Sequence, residues 1–226
     1  TALVAVLAAS APDAGTHGPQ VIDRIVAIVE RRPLLLSELE FEARIALIQQ
    51  GGTGAATAPL TDEDLAAALE WAIGQRLALA EAERLQVFDV EESEVTKALK
   101  AFQARFASDK QLLAFLDSQE ATQEQLAAVL LRELRVSRFL DSKVKLSARA
   151  SEEELRRYYA GHVQELGGRP YEQVRDSIKA QLTRERYVVL AGKQLDELRA
   201  RADVRTVAPF ARPSEPPNGD AAPEHP

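Results

Sequence analysis

Residues 21–40, VIDRIVAIVERRPLLLSELE, decide the fold. Val21, Ile22, Ile25, Val26, Ile28 and Val29 form a run with little polar interruption; Glu30, Arg31, Arg32 and Pro33 make a turn; Leu34, Leu35 and Leu36 resume the apolar character. β-Branched residues over a length too short for a typical helix, a turn, and a second short apolar run read as a hairpin covered on both faces. Ser37 then reads as an N-cap with Glu40 as its capping-box partner, so the hairpin feeds directly into a helix. It is the expected sheet nucleus of the chain.

Downstream the pattern is helical. Phe41, Ile45 and Ile48 recur at helical spacing up to Gly51 and Gly52, and a Gly/Ala/Thr loop runs to Pro59. Thr61 with Asp64 opens the longest stretch, whose stripe Leu65, Leu69, Ile73, Leu77 is supplemented off-line by Trp71, Leu79 and Leu85, the mark of a helix at the centre of a bundle. Residues 87–90 read as an extended link. Val95, Leu99, Phe102 and Phe106 form the next stripe; Ser108 and Gln111 cap a shorter piece with Leu112, Leu113, Phe115 and Leu116. Thr122 and Gln125 begin a helix through Leu126, Val129, Leu130, Leu134, Phe139 and Leu140, and Ser151 with Glu154 caps one carrying Leu155, Tyr158 and Tyr159. After the break at Gly161 and Gly167-Gly168-Arg169-Pro170, the stripe Val174, Ile178, Leu182, Val189 predicts a last long helix to about Arg201, with Gly192 a weak point. Residues 204–207 form a short extended element, and the only partner for it is the hairpin, so the two ends of the chain are expected to meet in one small sheet. The expected fold is mainly α: a helical bundle with a small β-sheet made by the N-terminal hairpin and a C-terminal strand. A single domain is expected over 21–207. From Ala208 onward six of nineteen residues are Pro, which reads as a disordered tail over 208–226.

Composition narrows the function. The 226 residues carry 35 acidic and 28 basic side chains, a net charge of −7, with no clustered Lys/Arg stripe, so nucleic acid is not an expected partner. Cysteine is absent, which excludes disulfides, thiol catalysis and Cys-based metal sites. Residues 2–9, ALVAVLAA, are too short to span a bilayer, and Ala9-Ser10-Ala11 has the small-x-small form of a signal-peptidase site. Residues 1–20 are therefore read as a clipped signal peptide and flexible leader, with a disordered Ala-rich leader as the alternative. Pro12 leaves the cleavage position open, and no stable membrane insertion is expected of the remainder.

The order of elements resembles the N-terminal, trigger-factor-like peptide-binding module of the SurA-type periplasmic chaperones. The residues that carry it are IDRIVAIVERRPLLLSELE at 22–40, WAIGQRLALAEAERLQVFDVEESEVTKAL at 71–99, SEEELRRYYAGH at 151–162, and YEQVRDSIKAQL through DVRTV at the C-terminal end. The resemblance implies a periplasmic protein of a Gram-negative bacterium and a C-terminal helix that returns to complete the N-terminal module. Two features depart from it. The turn lacks the Asn, Asp or Gly that accept positive φ, so a turn wider than two residues is expected. Where relatives carry a parvulin prolyl isomerase domain, this chain has only residues 163–170, too few to fold as a domain.

No catalytic site is expected. His17, His162 and His225 cannot be paired by spacing with a nucleophile or a metal cluster, and no phosphate loop occurs. Glu152, Glu153 and Glu154 sit where carboxylates suit a helix dipole, while Arg156, Arg157 and residues 184–186 read as solvated faces. Cofactors are expected to be none and catalysis absent. Function then rests on surfaces, and the candidate peptide-binding residues are Phe102, Phe106, Phe115, Phe139 and Tyr158, because aromatic rings supply contact area at low entropy cost. Aromatics at helical spacing equally suit a core. Tyr158 and Tyr159 are adjacent, so one is expected to pack inward and the other to line a groove. The resemblance implies partners that are unfolded outer-membrane polypeptides. The alternatives are a dedicated partner-binding module, or a homodimer through the same apolar surface, and, against the missing domain, a prolyl isomerase.

Overall fold

The structure is a computed structural model that describes residues 23–86 and 88–211. The leader, the proposed cleavage site and most of the Pro-rich tail lie outside the described residues. Among the described residues the chain forms three strands and seven α-helices: β1 (Ile25–Val29), β2 (Arg32–Leu35), α1 (Leu36–Gly51), α2 (Asp62–Arg84), α3 (Glu92–Gln103), α4 (Asp109–Ser118), α5 (Gln123–Val144), α6 (Glu152–His162), α7 (Tyr171–Arg199) and β3 (Val204–Thr206). The mainly α fold with a small sheet is the one expected.

The sheet has the order β2-β1-β3, antiparallel throughout, and β1 pairs Val29 with Val204 and Ala27 with Thr206. The two ends of the chain do meet. A bulge at Val26, between the pairs Ile25/Leu35 and Ala27/Leu34, turns its carbonyl toward the third strand, where it accepts from the Val207 and Ala208 N–H groups at 3.0 and 3.2 Å. The chain stays on the core past β3: Ala208 is buried and Phe210 and Ala211 pack beside it, four residues into the segment read as tail.

The turn is a correction. Val29 faces Arg32, so the loop is the two residues Glu30 and Arg31, with φ of 48° and 68°, the left-handed pair of a type I′ turn. Such a turn follows the right-handed twist of the strands, and β3 helps to hold it. Glu30 N–H donates to the Asp203 carbonyl (3.0 Å) and the Glu30 carboxylate accepts from Asp203 N–H (3.1 Å). The residues flanking a two-residue turn form the hydrogen-bonded pair, so the missing N–H of Pro33 falls on the outer edge of β2 and blunts it against further strand addition.

The cap of α1 is a second correction. The helix begins at Leu36, one residue before Ser37, and the Glu38 carboxylate accepts from Leu35 N–H at 3.0 Å. Ser37 instead hydrogen-bonds the Asp23 carboxylate through its hydroxyl and its N–H, tying the strand entry to the helix start. Thr61/Asp64, Thr122/Gln125 and Ser151/Glu154 form the reciprocal caps read from sequence, while Ser108 accepts from Gln111 N–H alone.

Apolar residues gather in three clusters. The first joins the sheet, α2, the ends of α5 and α7, and Leu39; the second joins α1, α3, α4 and the start of α5; the third joins α6 to the first half of α7. Gly74 lets α7 approach α2, since a Cβ there would lie 3.3 Å from Leu195 Cδ1. In the third cluster the Arg186 guanidinium meets the Glu154 carboxylate at 2.6 Å, so Arg186 is not a solvated face. First that contact and then the hydrogen bonds from Ser151 hold the Glu154 carboxyl down at about 2.

Two outcomes follow. Arg31 makes no contact that its conformation serves, so Arg31→Gly should relieve a left-handed strain of about 1 kcal/mol and raise Tm by about 2–4 °C. A lower Tm would rule out the two-residue turn. Because the folded carboxyl of Glu154 titrates below its unfolded value of 4.5, its contribution is full above pH 4.5 and disappears as pH falls toward 2. Tyrosine near-ultraviolet circular dichroism, dominated by Tyr158, Tyr159 and Tyr171, should change in that window, and Glu154→Gln should remove the step.

Candidate functional site

The five aromatic residues singled out from sequence do not form a surface. Phe102, Phe106 and Phe115 are brought together, with ring centroids 5.6–6.4 Å apart and Phe41 stacked on Phe115, but their exposures are 2%, 8% and 4%. They are the middle of the second apolar cluster. Phe139 is fully buried in the first cluster, with Phe88 edge-on at 6.0 Å. The helix break near Phe106 does not loosen packing; it lets the α3 and α4 rings converge. Tyr158 and Tyr159 are both half-buried, so neither of the two expected roles separates them. Tyr158 stacks on His162 at 4.0 Å and accepts from Gln181, while Tyr159 O–H donates to the Arg169 carbonyl. Glu152 is engaged by Arg175 and by Tyr171 O–H. Among the described residues no three His, Asp or Glu side chains converge as a metal site would require.

A different site emerges where the chain ends close. The hairpin turn, the last turns of α2, the C-terminal end of α7 and Arg132 of α5 surround an open groove of about 700 Å³. That is within the range of ~300–1,000 Å³ usual for binding pockets. Its floor is apolar, built from Val29, Leu77, Leu79, Ala80 and Leu198 with Ala202 and Pro33 at the sides. Leu79 and Ala80 are half-buried, while Leu77, Ala78 and Ala82 of the same helix stay in the first apolar cluster. The walls carry arginines: Arg32 from β2, Arg76 and Arg84 from α2, Arg132 from α5, Arg201 after α7.

Arg76 and Arg132 are fixed from behind. Glu42, 3% exposed, takes a two-pronged contact from Arg76 (2.9 and 3.0 Å) and an ion pair from Arg132 at 2.6 Å. Gln75, also buried, accepts from Arg132 Nε, and Gln49 donates to Glu133, whose carboxyl burial pushes upward. These groups make a polar seam between the first and second apolar clusters, crossing α1, α2 and α5. Planar guanidinium forks suit such a bidentate, desolvated geometry in a way that lysine would not. The sequence reading passed over this seam, although Glu42 lies three residues from both Leu39 and Ile45, on the buried stripe of α1. A carboxylate at a core spacing was the available signal.

At the rim, Glu81 accepts two hydrogen bonds from Arg84 (2.7 and 2.8 Å); that contact, against partial burial and with Arg201 and Lys143 at longer range, keeps its carboxyl below the usual range. The groove thus offers an apolar floor, arginine walls of which Arg76 and Arg132 are fixed by Glu42, and an open side. No family model and no curated protein matches this sequence, so the site is read from its own geometry.

Truncating the buried carboxylate leaves two guanidiniums uncompensated. Glu42→Leu should therefore cost about 3–5 kcal/mol in urea unfolding, and Glu42→Leu with Arg76→Met and Arg132→Met should recover most of it. Equal losses in the single and triple variants would show that the seam contributes packing alone.

Proposed function

We propose that the protein is a non-catalytic chaperone of the SurA type, acting in the periplasm by holding extended segments of unfolded outer-membrane polypeptides against aggregation. The observation that carries this reading is the open groove with its apolar floor, which lies beside the junction of the N-terminal hairpin with the returning C-terminal helix and strand. An unfolded client needs apolar contact area that remains accessible in the folded chaperone, and Leu79 and Ala80 supply it while the phenylalanines do not. Two further features support it. The closure of the sheet by β3 is the arrangement that the resemblance implies. The connection that replaces an isomerase domain is a tight turn through Gly167 and Gly168, whose φ values of 69° and 64° bring the chain directly from α6 to α7. The blunted edge at Pro33 favours recognition through side chains over addition of a client strand.

The test is light scattering of a urea-unfolded outer-membrane porin diluted into buffer with the purified protein, alongside an unrelated acidic helical protein. Suppression at near-stoichiometric ratio is expected, and Ala80→Gln, which places a polar amide on the groove floor without changing charge, should raise the required ratio at least threefold while leaving circular dichroism unchanged. A folded protein that suppresses nothing would overturn the reading in favour of a dedicated partner or self-association. Acceleration of proline-limited refolding at catalytic amounts would replace it with isomerisation.

A further inference from the structure

We propose that the groove selects extended polypeptide segments that carry carboxylates beside apolar residues, with Arg32 and Arg201 as the anion-binding pair. The inference rests on the client-binding reading of the groove and names the chemistry of the segment that it takes.

The three carboxylates that line the groove are engaged within the chain: Glu30 by Asp203 N–H at 3.1 Å, Glu38 by Leu35 N–H at 3.0 Å, and Glu81 by both prongs of Arg84. The cations are not engaged to the same degree. The Arg32 side chain is exposed and has no ion-pair or hydrogen-bond partner among the described residues. Arg201 spends only its Nε, on the Glu197 carbonyl at 3.0 Å, leaving both terminal nitrogens. A guanidinium has five donors and no acceptor, so the unspent capacity at the rim is donor capacity aimed at an acceptor that the groove does not contain.

The backbone places these two side chains together. Glu30 N–H and the Asp203 carbonyl are bonded, Arg32 follows Glu30 by two residues and Arg201 precedes Asp203 by two. Their backbones are thus tied to one fixed contact, and both residues line the groove. Deeper in, Arg76 and Arg132 are balanced by Glu42 but keep a positive edge toward the cavity, since the carboxylate lies behind them. With five arginines against Glu30, Glu38, Glu81 and the buried Glu42, the site carries a net positive charge in a protein whose formal net charge is −7. In the groove an acidic segment meets the Arg32 side chain, the terminal nitrogens of Arg201 and an apolar floor. Charge complementarity of this kind contributes selectivity and encounter rate more than raw affinity, and at the solvent-exposed rim it is salt-sensitive.

The experiment uses the purified protein and three fluorescent peptides of one extended, apolar-rich design, with glutamate, glutamine or lysine at alternate positions, read by anisotropy at low and high salt. The glutamate peptide should bind at least tenfold tighter than the glutamine peptide at low salt, and the lysine peptide weakest. In Arg32→Gln/Arg201→Gln the ratio of glutamate-peptide to glutamine-peptide affinity should fall below threefold. Equal binding of all three, or preference for lysine, would overturn the inference. If porin aggregation is still suppressed in that case, the chaperone reading stands and only its acidic selectivity fails; if the porin is not held either, both fail. Both residues are exposed, and circular dichroism and urea unfolding of the variant, expected to match the wild type, separate recognition from folding.

Discussion

Glu42 is buried among helices, and the guanidiniums of Arg76 and Arg132 take the place of the water it has lost. The three groups come from α1, α2 and α5, the helices on which the sheet, α3 and α7 are assembled. A pair of this geometry tolerates little sliding, so it sets the register in which those helices meet, and it does so at the plane where one apolar cluster gives way to the next. The same two arginines form a wall of the groove. That wall of the groove is thus the outward face of the interaction that organises the interior, and its two cations are held in place by Glu42.

Much of the architecture was legible because it rests on short-range chemistry. Thr61/Asp64, Thr122/Gln125 and Ser151/Glu154 satisfy backbone donors three residues away, and the stripes of α2 and α5 follow from a period that any single sequence displays. The pairing of Val204 with Val29 was also recoverable, by elimination, since a lone extended element needs a partner. The two local errors share one cause. At Ser37 and at Glu30-Arg31 a tertiary contact, from Asp23 in one case and Asp203 in the other, outweighs the intrinsic preference of the residues involved.

The site was less legible, for a reason of degree rather than kind. Phe102, Phe106 and Phe115 carry the same spacing whether they face solvent or one another, and only the turn of chain between α3 and α4 decides that they meet. Conversely Glu42, Arg76 and Arg132 show no local mark of burial beyond the core spacing of Glu42, because polarity in a helix is normally a mark of exposure. Their burial depends on three segments separated widely in sequence. A groove built from a turn, two helix ends and one arginine of a fourth element has no signature in any of them alone.

The sheet closure has a further bearing on how the molecule comes into being. The central strand pairs with one partner close to it in sequence and with another far along the chain. The helices between can nucleate locally, but β1 keeps one edge open until residues 204–206 pair with it. Closure of the fold therefore waits on a contact that local chemistry cannot hasten: before it forms, β1 has an unpaired edge and the groove lacks the side that Leu198, Arg201 and Ala202 supply.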